Sequence, residues 1–254
     1  MGNADRNCLS FWFPKLEAAG LPVPKTVILR SPDLLPLLDG MCPKGYGDFW
    51  VATKRAAEAI GGFPVFLRTG QGSGKHDWKR TCYVPSLDEL SSHVAALVEW
   101  SEIVDFMGLA HDVWAIRELL PTSPVCTLPR YGNMPLCCEF RCFVRDAEVL
   151  CVHPYWPWES VEHGFPFKPE KGWDDDPEHD VPPGMRGKWE HIVSLGPEDA
   201  EAVRNLASQA GEAVGGEWSV DILDTQRGWY VTDMAEAAQS WHWPDCPHNV
   251  KNWA

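Results

Sequence analysis

The stretch Glu217–Glu236 narrows the fold more than any other part of the chain, because it reads as two β-strands joined by a tight turn. Aromatic and β-branched residues dominate both arms, Trp218–Asp224 and Trp229–Ala235. A three-residue loop, Gln226-Arg227-Gly228, with glycine in the left-handed position, predicts that Thr225 pairs with Trp229. Counting outward from that pair places Asp221 opposite Asp233. Side chains alternate along a strand, so both carboxylates point to the same face. Like charges so placed repel unless something positive lies between them. Two readings stay open for the pair. One is a solvated sheet face, and the other is a divalent-cation site built from hard oxygen ligands.

Composition sets the outer limits. With 254 residues the chain can bury a sizeable core in one large domain or two small ones. The formal net charge of −14 repels phosphate backbones at long range, which makes nucleic acid an unlikely partner. Nine cysteines are scattered without a C-x-x-C pair, as expected of free thiols in a reducing compartment. No apolar run approaches the ~20 residues needed to span a bilayer. The expectation is a soluble, cytoplasmic protein with no membrane partner.

Taken in order, the chain offers a helix over Ser10–Gly20, a strand at Thr26–Arg30, and a short helix with Pro32 near its start. A helix over 48–60 ends at Gly61-Gly62. An apolar strand then ends in Arg68, and three glycines alternate with polar residues before Lys75. Glycine lets backbone amides approach an anion, and Arg68 and Lys75 supply charge, so the segment is a phosphate-cradle candidate. It lacks the spacing of a P-loop, and a flexible hairpin tip accounts for the same residues. The clearest helix begins near Pro85, where Ser86 and Glu89 predict a capping box.

Val113–Leu120 reads as a strand, followed by strands at Leu136–Val144 and Glu148–His153. Glu139 and Arg141 share one face of the first of these two, against Cys138, Phe140 and Cys142 on the other. A solvent-facing side and a polar cleft both fit that pattern. Residues 153–191 form a long insertion rich in Trp, Pro, His and acids, expected to act as a lid or substrate wall. A helix over 198–214 leads into the hairpin. In the tail, His242, Cys246 and His248 are metal-ligand types, but no fourth ligand is spaced to complete a structural zinc site.

The order of these pieces resembles an ATP-grasp protein across residues ~45–240. The segment Glu139-Phe-Arg-Cys-Phe-Val144 is the most specific likeness. It is similar to the cell-division-cycle-type assembly factors of eukaryotic translation initiation and to related phage and bacterial ligase-like proteins. The resemblance implies an α+β fold in which two lobes of mainly antiparallel sheet, packed with helices, hold ATP between them. The segment 1–44 would precede an N-lobe at 45–115 and a C-lobe at 116–254. By the same resemblance, Arg68 and Lys75 contact the ATP phosphates, while Glu118 and the backbone of Leu119 and Leu120 hold adenine and ribose. Glu139 joins the nucleotide site, Arg141 binds the transferring phosphoryl group, and Asp221 and Asp233 bind Mg²⁺. The implied reaction joins a carboxylate to an amine, with a small-molecule or peptide substrate; the alternative is an ATP-loaded assembly factor with a protein partner. One departure stands out. The family's last strand usually reads acid-x-Asn, and here the final position is Ala235.

Overall fold

The structure, a computed structural model, describes residues 5–104, 108–168 and 179–249. The chain falls into two compact units. One holds the residues up to Pro14 together with Pro24–Leu120, and the other holds Lys15–Val23 and the chain from Pro121 onward.

In order, the elements of the first unit are α1 (Leu9–Ala18, whose last turn passes out of this unit), β1 (Thr26–Arg30), α2 (Tyr46–Ile60), β2 (Val65–Thr69), β3 (Tyr83–Val84), α3 (Leu90–Ile103) and β4 (Val113–Glu118). The strands form an antiparallel sheet in the order β1-β4-β2-β3. β4 is central, and its Trp114 and Ile116 are fully buried with Leu67 of β2, Phe49 and Ala57 of α2, and Leu97 and Val98 of α3. Phe49 meets Trp114 edge-on, with ring centroids 5.6 Å apart. Burying one such indole stabilises the fold by on the order of 4–6 kcal/mol at ~25 cal/mol per Å².

The second unit adds β5 (Cys126–Leu128), β6 (Met134–Leu136), β7 (Glu139–Arg145), β8 (Glu148–Pro154), α4 (Trp158–His163), α5 (Met185–Ile192), α6 (Pro197–Val214), β9 (Glu217–Thr225) and β10 (Gly228–Glu236). Its main sheet runs β10-β9-β7-β8, again antiparallel. One face, with Phe140, Cys142, Val144, Val220 and Ile222 buried, packs against Val203, Ala207, Ala210 and Val214 of α6. Gly211 permits that approach, since a Cβ there would lie 1.9 Å from the Asp146 carbonyl oxygen. The result is an α+β fold of antiparallel sheets and helices, as expected from the sequence.

Several local expectations are corrected. The turn of the β9–β10 hairpin has two residues, Gln226 and Arg227, and pairs Thr225 with Gly228 rather than with Trp229. A bulge between Val231 and Asp233 then shifts the register by one, so Asp221 still stands opposite Asp233. The strand read at Leu136–Val144 is two strands, because Met134–Leu136 pairs with Cys126–Leu128 in a separate hairpin. Ser86 precedes a 3-10 turn at Leu87–Glu89 and makes no capping hydrogen bond, so the capping box does not form. The helix after Pro32 is a 3-10 turn at Leu35–Asp39.

The insertion at 153–191 is more regular than its composition implied. β8 runs to Pro154, α4 and α5 follow, and Trp156 and Trp189 are buried, the indole of Trp189 donating to the Trp156 carbonyl at 2.9 Å. Residues 169–178 of the lid expectation lie outside the described residues. Residues 1–44 do not form a segment of their own, because β1 pairs with β4 along its length. The lobe boundary read at 115/116 falls inside β4, whereas the two compact units part at Leu120–Pro121.

Candidate active site

The first unit supplies the glycine-rich loop. The Thr69 hydroxyl accepts hydrogen bonds from the amides of Gln71 and Gly72, and the Thr69 amide donates to the Gly72 carbonyl at 2.9 Å. A Cβ at Gly72 would sit 2.5 Å from the Trp100 ring, and one at Gly70 would sit 2.5 Å from Cys8 Sγ. Glycine is therefore required there by packing, and the loop is held against Trp100 rather than being a loose hairpin tip.

Lys75 opens the 3-10 turn Lys75–Asp77 that follows the loop. Arg68 differs from the sequence picture of a rim cation. It is 3% exposed on β2, with Nε donating to the Thr69 carbonyl at 3.1 Å. Both faces of β2 are covered, which strand alternation alone does not reveal. Burial pushes the Cys82 thiol up to about 12, while Lys75 and Arg68 both oppose that rise. The two cations thus act on one neighbourhood beside the loop. Burial and then Lys75 lower the pKa of His76.

Glu118 ends β4, and its Oε1 accepts the Lys25 amide at 2.9 Å. Leu119 and Leu120 follow outside regular structure, each half-buried.

The second unit supplies a row of charged residues across its sheet. His153 of β8, Arg141 of β7, Asp221 of β9 and Asp233 of β10 occupy successive paired positions, so all four lie on the face opposite α6. Arg141 and Asp221 form a bidentate pair, Nε to Oδ1 and Nη2 to Oδ2, each at 2.8 Å. The guanidinium also lies over the Tyr155 ring, 4.6 Å from its centroid, and Nη1 donates to the Trp241 carbonyl at 3.4 Å. Burial alone would lower the pKa of Arg141, but the charge and hydrogen bonds of Asp221 carry it upward, so the guanidinium is held firmly cationic. Glu139 precedes Arg141 by two residues on the same face, and its Oε2 accepts the Trp156 indole at 3.2 Å.

The sequence called for something positive near the two acids, and Arg141 supplies positive charge at Asp221. Asp233 Oδ1 accepts the Met234 amide at 3.0 Å. The donor set still fits Mg²⁺ in kind, since ionised carboxylates keep about four acceptor sites each and Arg141 occupies only part of those on Asp221. Ala235 pairs with Ser219 in the next row of the same face and offers no side-chain ligand. Glu236 pairs with Trp218 and, by alternation, turns away from that face.

Sequence reasoning did not place Cys151 and His153 near the tail residues, and these lie on the same face. The spacing Cys-x-His on a strand, which sets two ligand types side by side, was the signal available.

A family model for the ATP-grasp domain, family 3 of the R-2-K clade, matches residues 59–250. The chain belongs to that family. Its solved neighbours include the D-alanine–D-alanine ligase of Bacillus anthracis, at 13% identity and a TM-score of 0.46, covering 89% of this chain and 55% of that one. An ATP-grasp RimK domain protein of Sphaerobacter thermophilus is similar at 15% identity and a TM-score of 0.44, covering 91% and 59%. The ATP-grasp ligase PsnB, solved with a minimal precursor, is similar at 12% identity and a TM-score of 0.41, covering 91% and 52%. The chain thus spans little more than half the length of these neighbours. No curated protein matches it by sequence. Among the described residues, no helix of this ATP-grasp protein is long and apolar enough to cross a membrane.

Proposed function

We propose that this ATP-grasp protein is an ATP- and Mg²⁺-dependent ligase that joins a carboxylate to an amine through an acyl phosphate. The observation that carries the reading is the Arg141–Asp221 pair with Asp233 beside it, a fixed cation and two carboxylates on one sheet face in a chain of this family. Asp221 and Asp233 would hold Mg²⁺, which when bound neutralises phosphate charge.

In the reaction, a substrate carboxylate oxygen bonds to the γ-phosphorus of ATP as the bond to ADP breaks. An amine nitrogen then attacks the acyl carbon, phosphate leaves, and the amine loses a proton. Arg141 would meet the transferring phosphoryl group with the two N–H groups that its described contacts leave over, preset by Asp221 and Tyr155 so that little reorganisation is needed. Lys75 would meet the ATP phosphates from the end of the glycine-rich loop, with Arg68 adding charge from below it. Glu118, Leu119 and Leu120 would hold the adenosine, and Glu139 would assist in the nucleotide site. A small-molecule or peptide carboxylate is the expected substrate, in the cytoplasm.

A second reading, a nucleotide-loaded assembly factor with little turnover, is favoured by Ala235. The position where the wider family offers an amide ligand has a methyl group here. ADP release measured with Mg·ATP, against pools of carboxylates and amines, separates the two. A ligase sustains ADP release over many turnovers only when both substrates are present, and Arg141→Lys abolishes that release. Mg·ATP binding without release under every pool supports the assembly factor, and failure to bind Mg·ATP rejects both.

A further inference from the structure

The same sheet face carries a second constellation, one made of soft ligands. Cys151 and His153 are two apart on β8, so their side chains rise on the same side, opposite Phe143 and Arg141 respectively. The C-terminal segment covers them. His242 lies flat on the Phe143 ring, with centroids 3.6 Å apart, and Ser240 Oγ meets Ser219 Oγ at 2.5 Å. One ligand atom from each of Cys151, His153, His242 and Cys246 lies within 4.8 Å of the other three. Cys151 Sγ stands 3.2 Å from His242 Nε2. The group is the single such cluster of metal-ligating side chains among the described residues.

Two further observations point to a ligand. His153 Nε2 is buried and has no hydrogen-bond partner among the described residues. Such a nitrogen is a cost unless something coordinates it. The spacing also fits. With Zn–S near ~2.3 Å and Zn–N near ~2.0 Å, tetrahedral ligand atoms stand roughly 3.3–3.8 Å apart, a small contraction from what is seen.

We propose that Cys151, His153, His242 and Cys246 form a closed Cys₂His₂ site for a structural zinc ion. Two thiolates and two neutral imidazoles balance the ion's charge, so the loaded centre is neutral and can sit buried near the Arg141 cation. Four protein ligands leave no open position for catalysis. Sulfur and imidazole also set it apart from the carboxylate oxygens of Asp221 and Asp233, which suit a harder ion. The ion would clip the tail to β8 across a separation of 91 residues and keep the Trp241 carbonyl on Arg141. His248, read from the sequence as a third tail ligand, is not in the cluster.

Untagged protein, purified without chelator, should contain about one zinc per chain by elemental mass spectrometry. Zinc stripped by chelation and replaced by Co²⁺ should give the intense visible bands of a tetrahedral site and thiolate-to-cobalt charge transfer. Cys246→Ser and Cys151→Ser should lose the charge-transfer intensity in part and the zinc stoichiometry, while Cys42→Ser and Cys126→Ser keep both. If the cysteine variants fail to fold, the cobalt spectrum of the wild-type chain still decides. Folded wild-type protein with no zinc and no thiolate band on Co²⁺ addition overturns the proposal. So does a Cys151–Cys246 disulfide found by mass in that protein, or zinc retained at full stoichiometry by the Cys151→Ser/Cys246→Ser double variant.

Discussion

Arg141 and Asp221 face each other directly across β7 and β9 and join through two parallel contacts of 2.8 Å, while Asp233 faces Asp221 from the other side. The guanidinium thus places positive charge against Asp221 on one side while the Asp233 carboxylate stands on the other. Repulsion alone, as the sequence presents it, makes Asp221→Asn neutral or mildly stabilising without ligand. The structure reverses that sign. Removing one partner of a buried pair strands the other, at a cost of about 3 kcal/mol. Urea unfolding without nucleotide should show this loss for Asp221→Asn and for Arg141→Met, and the double variant should lose much less than the sum. Strict additivity would mean that the two side chains do not depend on each other.

Lys75 and Arg68 should separate in their effects. Lys75→Ala truncates a half-buried side chain outside the core and should cost no more than about 1 kcal/mol, a few degrees of melting temperature, while weakening Mg·ATP binding at least tenfold. Arg68→Ala removes a buried side chain and its bond to the Thr69 carbonyl, and should cost about 1–3 kcal/mol before any nucleotide is added. Calorimetric titration beside thermal melts tests both. Unchanged Mg·ATP affinity in Lys75→Ala would remove that residue from the nucleotide site.

Gly211 gives a test of the packing of α6. Alanine normally gains about 1 kcal/mol over glycine inside a helix. Here its Cβ would meet the Asp146 carbonyl at 1.9 Å and Val144 Cγ2 at 2.9 Å, and backbone cannot swing aside as a side-chain end can. Gly211→Ala should therefore destabilise by a net amount of at least about 2 kcal/mol. A variant as stable as the wild type would mean that α6 can slide on its sheet.

Asp224 supplies a pH dependence. Burial first, and then the neighbouring Asp199, push its carboxyl pKa up. A raised carboxyl contributes stability that is full below its unfolded pKa and is lost as pH rises through the folded value. Asp224→Asn should therefore melt slightly above the wild type at neutral pH and lose that advantage by about pH 3, below the ordinary carboxylate range. An advantage of equal size at both pH values would place its origin elsewhere.

The elements with strong local signals were legible in the sequence. β1 occupies the stretch read for it, and α2, α6 and the strands of the last hairpin lie within a few residues of theirs. Alternation along β7 correctly put Glu139 and Arg141 on one face against Phe140 and Cys142. What was not legible depends on distant partners. The burial of Arg68 is set by what covers the second face of β2, and no pattern within β2 announces it. Cys151 and His153 meet His242 and Cys246 only because the tail folds back onto β8, and tail spacing by itself cannot name ligands from another strand. Ser86 and Glu89 carry the letters of a capping box, yet the chain turns there as a 3-10 segment and the bond is not made.

The bulge at Thr232 behaves like a frame-restoring insertion. The two-residue turn starts the hairpin one step out of phase, and the extra residue corrects the phase before Asp233. Everything beyond it, including Ala235 against Ser219, inherits the corrected frame. Deleting Thr232 would therefore remove the bulge and leave Asp233 opposite Asp221, with the later side chains facing as before. Smoothing the bulge while keeping Thr232 would do the opposite, setting Asp233 opposite Val220 and turning it inward toward α6 and Met234 outward. The faces of the last four residues thus depend on one residue staying out of the ladder.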